Sequence, residues 1–141
     1  MFARTDIIRR ATIRATALAF GLFIISAIVI ANLGYGESCW PFIYHTPYAD
    51  KLGHIGLFGT LSFLCNLVFP AFRLRFLPRF ITATSFVLLV LISAEELTQA
   101  FIPHRSCDFI DWLADLTGLF AGQLAAIVLL KIGRGKTAYT P

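Results

Sequence analysis

The sequence predicts an all-α fold: an integral membrane four-helix bundle with both termini in the cytoplasm, forming a single domain over residues 1–141. Composition is the first observation, because 57% of the 141 residues are hydrophobic and only 14% are charged. A soluble globule of this size would need more polar surface than that. The second observation is a set of four apolar segments, and the third is the position of the basic residues between them.

The four segments have the length that a membrane helix requires. A hydrocarbon core about 30 Å thick is crossed by roughly 20 apolar residues in a helix. The predicted spans are residues 15–33, 52–70, 80–102 and 112–130. The first is the most uniformly apolar, whereas the other three each carry ionisable residues near one end. No repeat or soluble-domain linker separates them.

The first segment has one competing interpretation, a cleaved signal peptide, since arginines precede it. Its apolar run of about 19 residues exceeds the usual 7 to 15 of a signal peptide, and no good small-residue cleavage pattern follows it. We therefore interpret it as a spanning helix.

The basic residues set the predicted orientation, because Lys and Arg accumulate on the cytoplasmic side of membrane proteins. With four spans, ten of the 12 basic residues fall on one side: Arg4, Arg9, Arg10, Arg14, Arg73, Arg75, Arg79, Lys131, Arg134 and Lys136. Seven of the eight acids fall on the other side: Glu37, Asp50, Glu95, Glu96, Asp108, Asp111 and Asp115. This polarity predicts a multi-pass membrane protein that contacts anionic lipid, and gives no indication of nucleic-acid binding.

Polar side chains on three segments are predicted to lie at a similar depth below the outer face. At a rise of about 1.5 Å per residue, His54 and Asp115 lie about 6 Å, and Glu96 about 9 Å, inside the outer helix ends. On the fourth segment one arc of about 80° carries Asp108, Asp111, Asp115, Gly118 and Gly122. Ionisable groups in a membrane nearly always face the bundle interior or a polar cavity. We therefore expect a polar cavity that opens to the outer side.

Each of these residues also has a purely structural interpretation. Asp108 and Asp111 are suited to capping the fourth helix, and Asp50 to capping the second. His54 is as typical of hydrogen-bonded packing as of a ligand, and Glu95 can pair with Lys51 or Arg105. The glycines favour close approach of another helix.

The combined pattern resembles the VanZ-like family of small bacterial membrane proteins. The resemblance covers residues 50–122 and rests on Asp50-Lys51-x-x-His54, then Glu96-x-x-Gln99, then Arg105-x-x-Asp108-x-x-Asp111-x-x-x-Asp115-x-x-Gly118-x-x-x-Gly122. The resemblance implies a location in the bacterial inner membrane. Some members of that family are associated with resistance to the glycopeptide antibiotic teicoplanin, which implies a role at the cell envelope. The family usually has Asn at the position of Asp115, so this chain has either a more acidic cavity or a protonated Asp115.

Two classes of function follow from the cavity. In the first, the protein binds or modifies a lipid-linked cell-envelope headgroup, with Lys51 and Arg105 contacting a phosphate or carboxylate. Candidate catalytic residues are Glu96, His54, Asp111 and Asp115; candidate ligand-binding residues are Asp50, Lys51, Gln99, Arg105 and Asp108. A variant places Mg²⁺ or Ca²⁺ among Glu96, Asp108, Asp111 and Asp115. The residues are compatible with catalysis and with binding alone.

In the second class, the protein is a non-catalytic accessory subunit of a larger membrane complex, and its polar residues form a structural network. A proton-coupled transporter is disfavoured, because the acids cluster on one side only.

The outer loop, residues 34–50, is rich in Trp, Tyr and Pro, which are typical of the membrane interface. We expect it to lie across the mouth of the cavity, with a short interfacial helix as one form. Cys39 and Cys107 both fall on the outer side, where a disulfide between them is feasible. Cys65 is expected to be an apolar helix residue.

Overall fold

The computed structural model describes residues 2–70, 78, 80–103 and 105–137, and this part of the chain is all-α with no strand. The helices are α1 (Phe2–Asn32), α2 (Gly36–Cys39), α3 (Pro41–His45), α4 (Ala49–Val68), α5 (Ala83–Gln99) and α6 (Phe109–Thr137). The all-α prediction is confirmed, and each of the four predicted segments overlaps one of the long helices.

Among the described residues, three helices are long and apolar enough to cross a membrane: Ile7–Asn32 within α1, Ala49–Val68, and Phe109–Gly133 within α6. The third predicted segment, residues 80–102, corresponds to the shorter α5, which has 17 residues. At about 1.5 Å per residue, α5 is about 25 Å long. It ends early because the backbone tightens at Phe101 and Ile102, whose amides bond to carbonyls three residues before them.

A glycine terminates α1. Gly34 adopts φ 84°, in the left-handed region that residues with a side chain rarely enter. Its amide donates to the Ala31 carbonyl, and the Tyr35 amide donates to the Ile30 carbonyl. This pair of bonds satisfies carbonyls at the helix end and turns the chain into the outer loop.

α4 and α6 run side by side in the same direction. Ile55 and Gly59 of α4 lie against Gly118, and Gly59 and Phe63 lie against Gly122, so both numberings increase together. α5 returns in the opposite direction: Thr84, at its start, bonds to the Phe69 carbonyl after the end of α4. α5 therefore carries the chain back along the bundle to the start of α6.

Gly59, Gly118 and Gly122 have no side chains, so the backbones of α4 and α6 come into contact. A methyl group built at Gly118 would lie 2.9 Å from the Gly59 nitrogen, and one at Gly122 would lie 2.9 Å from the Phe63 nitrogen and overlap the Gly59 carbonyl oxygen. The predicted packing role of Gly118 and Gly122 is confirmed. The structure adds that both glycines pack against another glycine, Gly59 of α4.

The middle of the bundle is apolar. Its buried cluster takes one or two residues from each long helix: Ile24, Phe58, Leu88, Ile92 and Leu119. Large apolar side chains that remain exposed, including Leu18, Val90 and Leu124, cover the outside, as expected for surfaces that contact lipid.

A polar cluster lies at the end of α4 and the start of α5. Asn66 donates to the Ser62 carbonyl at 2.9 Å and to the Ser85 hydroxyl at 3.0 Å, and accepts from the Thr82 hydroxyl at 2.6 Å. Gln123 of α6 accepts from the Thr82 amide at 3.0 Å and donates to the Phe80 carbonyl at 2.7 Å. We call these five residues, Ser62, Asn66, Thr82, Ser85 and Gln123, the inner network.

The outer loop folds as the two short helices α2 and α3, in agreement with the expected short helix. Its position across a cavity stays a prediction. Cys39 and Cys107 are free and exposed, and Cys65 is free and half-buried within α4, so the structure contains no disulfide. The predicted cytoplasmic arginines Arg73, Arg75 and Arg79 lie outside the described residues.

Candidate functional site

The polar residues predicted from the sequence converge at one end of the bundle. The start of α4 contributes Asp50, Lys51 and His54, and the end of α5 contributes Glu95, Glu96 and Gln99. The start of α6 and the turn before it contribute the remaining four: Arg105, Asp108, Asp111 and Asp115. We call this set of ten residues the outer site.

Lys51 connects α4 to α6. Its ammonium lies 2.8 Å from a carboxylate oxygen of Asp108 and 3.4 Å from one of Asp50, and it also contacts Asp111. Asp108 accepts from the Ile110 amide at 2.8 Å, which makes it the N-cap of α6. The hydrogen bond from Lys51 and the one from the Ile110 amide hold the pKa of the Asp108 carboxyl below its usual range.

His54 makes the deepest polar contact of the site. Its Nδ1 lies 2.7 Å from Oδ1 of Asp115, whose side chain is 1% exposed. On the other edge of the ring, Nε2 lies 3.6 Å from Oδ1 of Asp50. The imidazole is thus placed between a buried carboxylate on α6 and a half-exposed one in the first turn of α4.

Glu96 organises the turn between α5 and α6. One carboxylate oxygen accepts from the Asp108 amide at 2.7 Å, and the other accepts from the Gln99 side chain at 3.3 Å. Gln99 also donates to Glu95 at 2.8 Å and accepts from Nε of Arg105 at 3.2 Å. These contacts give Glu96 a positioning role, because it fixes the backbone that presents Asp108.

The structure decides between several alternatives. Asp108 caps α6 as predicted, whereas the predicted cap role of Asp50 is wrong: Tyr48 occupies that position in a left-handed conformation, and Asp50 lies inside the first turn. Glu95 contacts Gln99 instead of Lys51 or Arg105.

Exposure falls steadily from the rim to the base of the outer site. The exposed fraction of the side chain is 48% for Asp50, 27% for Lys51, 18% for His54 and 1% for Asp115. The residues contact one another directly, so an ordered polar cluster is observed and the predicted cavity stays a prediction. An apolar groove of about 290 Å³ lies at the opposite end of α4, beside Cys65, Phe69 and Ala83.

Three buried carboxylate oxygens of the outer site accept no hydrogen bond: Oδ1 of Asp111, Oδ2 of Asp115 and Oε1 of Glu95. Oδ1 of Asp111 is in ion-pair contact with Lys51, whereas the other two have no partner among the described residues. A buried polar atom without a partner costs free energy. By contrast, no buried side-chain oxygen or nitrogen of the inner network lacks a hydrogen-bond partner.

The ligand atoms that lie close enough to share a metal ion differ from the predicted set. One atom each of Asp50, His54 and Asp111 lie within 4.8 Å of one another. Of the predicted metal ligands, Glu96 is engaged with the Asp108 amide and Gln99, and Asp108 with Lys51 and the Ile110 amide. Asp111 is common to both sets and, like Asp50, also contacts Lys51, while Asp115 contacts His54.

Two features were not predicted from the sequence. Near the outer site, Trp112 donates to the Ser93 hydroxyl at 3.0 Å, which joins α6 to α5 one turn before Glu96. The other is the inner network, at the opposite end of α4. Its signal was the occurrence of Asn66 and Gln123 inside apolar segments, where amides need partners.

Comparison with known protein families identifies the family of the chain. A family model described as VanZ/LLP1 matches residues 7–130. No curated protein and no solved structure is significantly similar to the chain. The match extends the resemblance of residues 50–122 across the whole bundle, including α1. The chain belongs to the VanZ/LLP1 family.

Proposed function

We propose that this protein binds the headgroup of a lipid-linked cell-envelope molecule at the outer face of the bacterial inner membrane, through the outer site. The observation that carries the proposal is the contrast between the two polar clusters. The inner network satisfies its own buried atoms, as a structural cluster should. The outer site leaves Oδ2 of Asp115 and Oε1 of Glu95 unpaired, which favours a ligand that donates to them.

The topology that supports this function has four spans. α4 and α6 start at the same end of the bundle, and α5 runs between the two ends. If α4 and α6 cross the membrane, α5 must also pass from one face to the other, and 17 residues lie at the short limit for a span. The outer site then faces outward and both termini lie in the cytoplasm.

The charges of the outer site favour a particular kind of headgroup. Its carboxylates outnumber Lys51 and Arg105, and Lys51 already contacts three of them. The acids therefore suit hydroxyl or ammonium donors of the headgroup. Arg105 suits its phosphate: Gln99 orients the guanidinium through Nε, and the other nitrogens make no hydrogen bond to a described residue. A planar guanidinium recognises phosphate through paired bonds.

If the site also catalyses a reaction, His54 is the residue placed to transfer a proton. Asp115 orients its ring through Nδ1, and Nε2 faces the more exposed side. Glu96 is less suited to that role, because its oxygens accept from the Asp108 amide and Gln99.

The alternative is the accessory subunit of a larger membrane complex. It is favoured by the contacts among Lys51, Glu96, Gln99 and the aspartates, which show that the outer site also joins α4, α5 and α6. In that function the protein would co-purify in mild detergent with a stoichiometric partner.

Removing the Arg105 guanidinium tests headgroup binding. We expect the wild-type protein, purified in mild detergent, to retain one headgroup-bearing lipid species in near-stoichiometric amount, and Arg105→Gln to retain about tenfold less, since a charged bidentate contact contributes about 1.5–3 kcal/mol. Mass spectrometry of the extracted lipids measures this. Arg14→Gln is the matched control, because it removes an exposed arginine of α1.

Equal retention by all three proteins would contradict the proposal. So would an equal loss in Arg105→Gln and Arg14→Gln, which would indicate general attraction of anionic lipid. Elution of Arg105→Gln as a single peak at the wild-type volume shows that the variant is folded.

A further inference from the structure

The three ligand atoms that lie close enough to share a metal ion belong to α4 and α6, whose backbones are in contact. Asp50 and His54 are one turn apart on α4, and Asp111 lies opposite them on α6, where the glycine contact holds the helices together. Metal–ligand bonds of about 2.1 Å allow two ligands of one ion to lie roughly 3.0–4.2 Å apart. The 3.6 Å between Nε2 of His54 and Oδ1 of Asp50 fits that range.

The charge around these atoms is unbalanced. Asp50, Asp108, Asp111 and Asp115 contribute four carboxylates, and Lys51 is the one ammonium in contact with them among the described residues. An excess of negative charge at the end of an apolar bundle is costly, since repulsion grows as the local dielectric falls. A divalent cation would offset most of it.

The orientation of His54 is the second, independent observation. Asp115 is fully buried, and while its Oδ1 is 2.7 Å from Nδ1 of His54, its Oδ2 has no partner. A carboxylate that accepts from Nδ1–H leaves the lone pair of the ring on Nε2, which here faces a carboxylate oxygen of Asp50. Two such acceptors repel each other unless Nε2 is also protonated or a metal cation lies between them, and the 3.6 Å separation is longer than a hydrogen bond. A carboxylate behind a metal-binding histidine is the usual outer-shell arrangement.

We propose that Asp50, His54 and Asp111 bind one divalent cation, with Asp115 orienting His54 from the buried side. The proposal goes beyond headgroup binding, because the site needs no lipid. The imidazole favours Zn²⁺, and the two carboxylates suit Mn²⁺, whereas Ca²⁺ prefers oxygen ligands alone. Such an ion would lie beside Lys51, whose ammonium contacts both Asp50 and Asp111.

Mn²⁺ is the probe for the test, with the full-length protein purified in detergent and stripped of metal. Electron paramagnetic resonance measures free Mn²⁺, and pulsed measurements detect nitrogen coupling from a histidine ligand. We expect saturable binding of one Mn²⁺, competed by Zn²⁺, with an imidazole nitrogen signal. His54→Gln should lose that signal and weaken binding at least about tenfold. Asp115→Asn should weaken it about 10- to 100-fold, as removal of an outer-shell partner does.

His45→Gln is the matched control, because His45 is exposed and pairs only with Glu37 among the described residues. It should leave affinity and the nitrogen signal unchanged. Asp50 is half-exposed, so Asp50→Asn is the ligand variant that should disturb folding least. It should weaken binding of Mn²⁺ at least about tenfold. Absence of saturable binding, or wild-type affinity in both His54→Gln and Asp50→Asn, would overturn the cation site. Headgroup binding through Arg105 would survive that result, and the lipid measurement tests it separately.

Discussion

Gly122→Ala is expected to destabilise the protein by about 3 kcal/mol, the largest effect of any single methyl group in the bundle. The added carbon would overlap the Gly59 carbonyl oxygen and lie 2.9 Å from the Phe63 nitrogen. These are backbone atoms, which cannot move aside as a flexible side chain would, so α4 and α6 must separate. Thermal unfolding in detergent, or the fraction of protein that elutes as a folded monomer, measures the loss.

Gly133→Ala is the matched control on the same helix. A methyl group there meets nothing within 4 Å, and alanine has the higher helix propensity, so stability should stay the same or rise by up to about 1 kcal/mol. Equal stability of the two variants would show that α4 and α6 are not in backbone contact.

Asn66→Leu is expected to cost about 2 kcal/mol, the second largest effect. Asn66 joins the end of α4 to the start of α5, since its amide contacts Ser62 of its own helix, Ser85 of α5 and Thr82, the N-cap of α5. Leucine would leave the hydroxyls of Thr82 and Ser85 with fewer partners in a buried position, although hydrogen bonds within membranes contribute only about 0.6 kcal/mol each on average. Unfolding in detergent again measures the change.

Thr117→Leu is the comparison for Asn66→Leu. Thr117 is an exposed residue of α6 whose hydroxyl bonds to a carbonyl of its own helix. Its replacement should change stability by less than about 0.5 kcal/mol. If Asn66→Leu were equally harmless, the inner network would not contribute to holding α5 against α4.

The fold could be predicted from the sequence where hydrophobicity alone decides. The four apolar segments each overlap a long helix, and the spacing of Gly118 and Gly122 identified a close helix contact. That their partner surface is Gly59 of α4 could not be predicted, because the pattern on one helix does not say which neighbour packs against it. The early end of α5 was missed because Glu95 to Ile102 contains no glycine or proline to mark it.

The sequence predicted which residues form the outer site better than it predicted how they contact one another. Their similar depth and shared helix faces placed His54, Glu96 and Asp115 at one end of the bundle. The pairing of His54 with Asp115, and of Glu96 with the Asp108 amide, depends on how the helices are rotated about their axes. Asp50 was expected to cap α4, but Tyr48 takes the left-handed conformation at that position, which frees Asp50 to face His54.

Asp115 stands where the resemblance to the VanZ-like family implies an asparagine. Its carboxylate has one oxygen on His54 and the other without a partner among the described residues. A carboxylate increases the basicity of the imidazole and strengthens its attraction for a cation more than an amide would. The proposed cation site therefore depends on this carboxylate.

The central claim is that the outer site opens to the outer side of the membrane, and labelling of Cys107 tests it most directly. Cys107 is free and exposed, and it lies between Arg105 and Asp108 in the chain. With Cys39 and Cys65 replaced by serine, a membrane-impermeant maleimide should label Cys107 in intact spheroplasts as fully as after permeabilisation. A variant that keeps Cys65 alone should remain unlabelled in intact spheroplasts. Labelling of Cys107 only after permeabilisation would place the site on the cytoplasmic side and contradict the account.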